Sequence, residues 1–104
     1  MKTVLTLSLA TAITALTAMP ASANLPLAQK NNCTGCHAVD RKLLGPGFRE
    51  IAERYRNDHG AADRLARKIR EGGAGAWGPT PMPPHQQLSS GDLTLIVSWI
   101  MAQQ

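Results

Sequence analysis

Two thiols three residues apart, followed at once by an imidazole, make Cys33-Thr34-Gly35-Cys36-His37 the segment of this chain with the most definite chemistry. In C-x-x-C-H each thiol can add to one of the two vinyl groups of a porphyrin, giving two thioether bonds. The histidine that follows is then held beneath the iron as its proximal ligand. Cys33 and Cys36 are the only cysteines, so the motif uses every thiol. Two other readings of the pair are weaker. A thioredoxin-like C-x-x-C needs a strand-rich βαβ setting, and the flanks here have helical patterns. Zinc needs four ligands, and the other histidines, His59 and His85, do not have zinc-like spacing. The motif predicts one haem c, covalent through Cys33 and Cys36.

An iron held by His37 needs a sixth ligand or an open position. Of the four methionines, Met1 and Met19 fall within the first 23 residues, which read as a removable leader, and Met101 in an apolar helical stripe. Met82 remains, with Pro79, Pro81, Pro83 and Pro84 around it. Each proline fixes its own φ and restricts the residue before it, so this loop reads as extended and stiff. A methionine in a core is adaptable filler, but filler rarely sits between prolines. Met82 is the expected second axial ligand. His/Met ligation raises the haem potential, and filling both axial positions leaves no place for a substrate.

The elements that must hold these groups are helical, and no stretch alternates like a strand. A short helix from about Leu25 to Asn32 leads into the motif. Phe48, Ile51, Ala52 and Tyr55 recur at i, i+3, i+4 and i+7, with Arg49, Glu50, Glu53 and Arg54 outward. Leu65, Ala66 and Ile69 mark a third helix from about Ala61 to Glu71, stopped by Gly72-Gly73. Ser89 and Asp92 form an S-x-x-D capping box before the stripe Leu93, Ile96, Val97, Ile100 and Met101. Between the last two helices, Gly72 to Leu88 is Gly/Pro-rich and aperiodic, a length unusual in a small domain unless the loop is functional. The expected fold is all-α, a single small domain of about four helices around the haem.

Residues 1–23 read as a secretory signal that is removed. Lys2 gives a positive start, Val4 to Met19 an uncharged apolar run, and Ala21-Ser22-Ala23 an A-x-A cleavage box. The run is too short and too rich in threonine for a membrane span of about 20 apolar residues. Cleavage would leave residues 24–104 as one domain, exported to the periplasm, with no stable membrane insertion. Its large aromatics are few: Phe48, Tyr55, Trp77 and Trp99. Domains this small usually depend on a staple, a metal or a cofactor. The chain without haem is expected to be largely unfolded.

Taken together, the haem motif, Leu44-Gly45-Pro46-Gly47-Phe48, Trp77-Gly78-Pro79-Thr80-Pro81-Met82-Pro83-Pro84 and a final helix carrying Trp99 resemble the small bacterial class I monohaem cytochromes c. The likeness runs over nearly all of the chain after residue 23. It implies a periplasmic single-electron carrier that does no bond chemistry on substrates. The redox partners it implies are a donor such as the cytochrome bc1 complex and an acceptor such as a terminal oxidase or nitrite reductase. It further implies that the Pro46 carbonyl orients the His37 ring, that the Trp77 indole reaches a haem propionate, and that Lys68 falls where a basic residue commonly does the same. Trp77 as plain core and Lys68 as one charge of a solvated face are the alternatives. His85 departs from the pattern, standing where relatives often carry an asparagine bonded to the ligand sulfur.

The chain carries +4 with its histidines neutral, and +3 without Lys2. Arg64, Arg67, Lys68 and Arg70 share one helix, but a periplasmic address argues against nucleic acid. A weak, salt-sensitive encounter of a monomer with an acidic redox partner fits better. The competing class is a small haem enzyme or gas sensor, peroxidase-like, with a labile Met82. Nothing resembling a distal acid–base pair accompanies Met82, unless His85 can swing in.

Overall fold

A computed structural model describes residues 24–104, all-α in architecture, and the expected leader, residues 1–23, lies outside the described residues. Helix α1 spans Leu25–Lys30, with Pro26 in its first turn, where the missing N–H costs no helical bond. It stops earlier than its sequence pattern suggests. The Asn31 side-chain amide donates to the Leu27 carbonyl at 2.9 Å, and Asn32 takes a left-handed φ of 61°. That reversal feeds a short 3-10 turn over Cys33–Gly35.

Helix α2 covers Phe48–Tyr55 and buries Phe48, Ile51 and Ala52. Its first amides are tied back to the haem-motif side of the chain, Phe48 N to Ala38 O at 2.9 Å and Arg49 N to Val39 O at 3.0 Å. Helix α3 covers Ala61–Glu71 and buries Ala61, Leu65 and Ile69, an i, i+4, i+8 stripe on one face. Asp58 prepares its start by accepting from Gly60 N at 2.9 Å and from the Arg64 guanidinium. Those two contacts, Arg64 first, hold the Asp58 carboxyl below the usual carboxylate range. Asp63 in the first turn and Lys68 and Arg70 in the last complement the helix dipole.

Helix α4, Ser90–Met101, is the hub. The Ser89 hydroxyl caps it by accepting from Asp92 N at 3.0 Å, the forward half of the capping box. Leu93, Ile96, Val97, Trp99 and Ile100 are all buried, too many for a single stripe, because α4 packs against α1, α2 and α3. Trp99 meets Phe48 edge-on at 4.8 Å between ring centroids. Helices α2 and α3 lean on α4 more than on each other, and this leaves a gap between them. Among the described residues the only extended pairings are His37 with Lys42 and Gly73 with Met82. No helix among them is long and apolar enough to cross a membrane.

Candidate haem cleft

The gap is a cleft of about 700 Å³ whose lining includes Cys33, Cys36, His37 and Met82, within the ~300–1,000 Å³ usual for cofactor sites. Its apolar wall comes from Ile51, Leu65, Ile69, Ile96 and Ile100. The 3-10 turn brings both thiols to it through Cys36 N to Cys33 O at 3.2 Å and His37 N to the same oxygen at 3.0 Å. Both cysteines are unpaired and half-buried. Burial pushes the Cys33 thiol up, a backbone hydrogen bond opposes that shift, and Cys36 adds to it. A thioether has no ionisable proton, so attachment removes that conflict.

The His37 ring is fixed on several sides. Its Nδ1 lies 2.7 Å from the Pro46 carbonyl oxygen. A carbonyl only accepts, so Nδ1 carries the proton and Nε2 keeps its lone pair for a metal. Phe48 stacks on the imidazole at 5.3 Å and 27°. Gly45 approaches so closely that a Cβ there would sit 2.5 Å from His37 Cε1 and 2.9 Å from Nδ1. Glycine is required here by space. Gly45→Ala should tilt the ring off Pro46 and cost about 1–3 kcal/mol, the usual range for overpacking. Denaturant titration of the holoprotein measures this, and an unchanged midpoint would mean the ring has room to move.

A further part of the lining is the Gly/Pro loop, fastened at several points. Gly73 and Met82 exchange two backbone hydrogen bonds, each 2.9 Å, and His85 N donates to Ile69 O at 2.9 Å. Arg70 donates to Leu88 O at 2.9 Å and Gln86 O at 3.3 Å, closing the far end onto α3. Arg54 donates to Ala76 O at 2.6 Å, and its guanidinium lies 4.3 Å over the Trp77 ring, a cation–π contact. Met82 is thereby held half-buried in the cleft lining.

Trp77 lines the cleft yet stays 38% exposed, so it is no core residue. Lys68 is half-buried in the lining, beside Gly73. Among the described residues no carboxylate pairs with Lys68 or Arg67, which also lines the cleft. An anionic group seated there would find both available. Among the described residues, two buried side-chain nitrogens lack any hydrogen-bond partner, His85 Nδ1 and Trp99 Nε1, and His85 is at the cleft. Paired thiols, an oriented imidazole, an apolar slot and unpaired bases fit a covalently attached haem with its two propionates. Sequence patterns gave no hint of Arg54 and Arg70 as loop fastenings. Both fall at helical positions that read as ordinary solvated charge, and their partners lie 16 to 22 residues further along the chain.

A family model described as cytochrome c matches residues 26–104. Cytochrome c-551 of Allochromatium vinosum is 44% identical over 91 residues, covering 86% of this chain and 97% of that protein. Cytochrome c-552 of Nitrosomonas europaea is 43% identical over 81 residues, covering 78% of this chain and 79% of that one. The crystal structure of wild-type Nitrosomonas europaea cytochrome c552 superposes with a TM-score of 0.74 at 41% identity, over 77% of this chain and 99% of that chain.

Proposed function

Since the chain belongs to the cytochrome c family, and so carries one covalent haem c and moves electrons rather than transforming substrates, we propose that it is a periplasmic carrier with iron held between His37 and Met82. The haem, when bound, supplies a one-electron ferric/ferrous couple. What this chain supplies is attachment, orientation and rigidity. Cys33 and Cys36 tether the porphyrin edge. Pro46 holds the proton on His37 Nδ1, so the ring is fixed in orientation and presents Nε2. Met82 offers a soft thioether sulfur, and the prolines and the Gly73 pairing limit how far it moves when the iron changes charge. Trp77, with Lys68 beside Gly73, would hold the propionates, and the apolar wall would keep water from the iron.

The observation that carries this reading is the joint placement of a hydrogen-bonded His37 and a fastened Met82 on one cleft of about 700 Å³. Residues 1–23 would act as the signal for export. The donor would be a complex of the cytochrome bc1 kind and the acceptor a terminal oxidase or nitrite reductase, each met by a monomer. Arg67 and Lys68 near the cleft, with exposed Leu44 and Trp77 at its lining, suit a brief encounter with an acidic partner.

The ferric holoprotein should be low-spin and show the weak near-infrared sulfur-to-iron charge-transfer band. Met82→Ala should abolish that band and lower the potential by a sizeable part of the roughly 0.8 V that axial ligands command. Wild-type protein that lacks the band and binds cyanide at once would overturn Met82 as ligand and favour a labile-site sensor.

A further inference from the structure

His85 puts a second imidazole at the cleft, and this reading leaves it idle. It follows Met82 across Pro83-Pro84. Consecutive prolines favour the polyproline II helix, which repeats every three residues, and that period puts positions 82 and 85 on the same side. Both do line the cleft. The His85 backbone is anchored to Ile69 O at 2.9 Å, and Arg70 holds Gln86 and Leu88 just beyond it. The imidazole is half-buried, and its Nδ1 is shut off from solvent without a hydrogen-bond partner among the described residues. Such an orphan is unfavourable unless something in the site relieves it. Of the other histidines, His37 is committed to Pro46 and His59 is exposed and absent from the cleft lining. His85 is the one second imidazole at the cleft.

We propose that His85 is a reserve axial ligand, forming a His37/His85 iron site when the Met82 sulfur is lost as a ligand. The proposal rests on Met82 being the resting ligand. The relevant chemistry is oxidation of the thioether by hypochlorite. One oxygen passes to sulfur, which loses two electrons to become the sulfoxide, and the chlorine leaves as chloride. The polar, bulkier sulfoxide no longer suits the apolar slot. A neutral imidazole is a good iron ligand and needs no substrate or partner to arrive. In a polyproline II segment the two Cα atoms are roughly 9 Å apart. The exchange therefore includes a loop shift, and the paired bonds between Gly73 and Met82 are the contacts that yield. The consequence is an iron that stays six-coordinate and closed to peroxide, at a lower potential than the His/Met form.

The test uses ferric holoprotein read by electron paramagnetic resonance, the visible and near-infrared spectrum, and cyanide binding. Met82→Ala should stay low-spin without the thioether band. Met82→Ala/His85→Ala should be high-spin and bind cyanide about tenfold faster or more, a difference of roughly 1.4 kcal/mol in barrier. Because Met82→Ala could fail to hold haem, wild type and His85→Asn are also treated with hypochlorite until mass spectrometry shows one oxygen on Met82. Oxidised wild type should remain low-spin, and oxidised His85→Asn should turn high-spin. If oxidised wild type is high-spin, or Met82→Ala matches the double variant, His85 does not ligate and the inference is wrong. Low-spin spectra in every variant would give the position to another group and overturn it equally. An untreated wild type without the thioether band would instead defeat the Met82 reading itself, so the two failures are distinct.

Discussion

Replacing both Cys33 and Cys36 with serine should yield a chain without cooperative unfolding and with little helical circular dichroism at 25 °C. Serine hydroxyls form no thioethers, so the porphyrin has no tether. The cleft it would leave is about 700 Å³, far more than any single side chain could fill. Water entering it wets Ile51, Leu65, Ile69, Ile96 and Ile100, which form its wall, and a small domain has only about 5–15 kcal/mol of stability to set against that exposure. Helices α2 and α3 lean on α4 more than on each other, so no helix-to-helix packing takes over the faces that lose the haem. Urea titration followed by circular dichroism measures the outcome. A cooperative transition with native-like helix content would show that the scaffold closes without its cofactor.

That dependence explains which parts of the molecule were legible in the sequence. Signals that act within one turn read correctly. Gly72-Gly73 stops α3 where the pattern ends, and Ser89 caps α4. The haem motif reads directly because its spacing is set by the porphyrin's two vinyl groups rather than by the fold. Signals that act across the chain did not read. The expected helix to Asn32 ends at Lys30, because Asn32 must turn left-handed to start the 3-10 turn that carries the thiols. Arg54 lies on the outward side of α2 by periodicity, yet its guanidinium covers Trp77, a contact that needs the loop to fold back. The Gly73–Met82 pairing is a single bridge, with no alternating strand to announce it. At Gly45 the close approach of His37, and at Gly72 the close approach of the Met82 backbone added to its role as a helix stop, are contacts that no local pattern announces.

Gly72→Ala should be the most damaging single substitution outside the haem ligands and thiols. Gly72 has φ 69° and ψ −153°, a region essentially reserved for glycine, and a side chain there costs of order 1–3 kcal/mol in strain alone. Contact adds to strain. A Cβ would overlap the Met82 carbonyl oxygen and lie 2.8 Å from Pro84 N and 2.9 Å from Pro83 C. All three are backbone atoms in a proline-stiffened segment, so none can rotate away as a side-chain tip could. The loop must move as a unit, and the two 2.9 Å bonds between Gly73 and Met82 are the first to be lost. The expected result is a loss above about 3 kcal/mol, beyond the range of most single substitutions, with weakening of the Met82 charge-transfer band in whatever protein folds. Gly75→Ala separates the two causes. Gly75 has φ 105°, but a Cβ added there would meet nothing within 4 Å, so it bears strain without contact and should keep the band at full intensity. Equal damage from both substitutions would mean that backbone conformation alone matters. Loss of the band only in Gly72→Ala would trace the effect to the backbone at Met82, the point from which the proposed sulfur ligand is positioned.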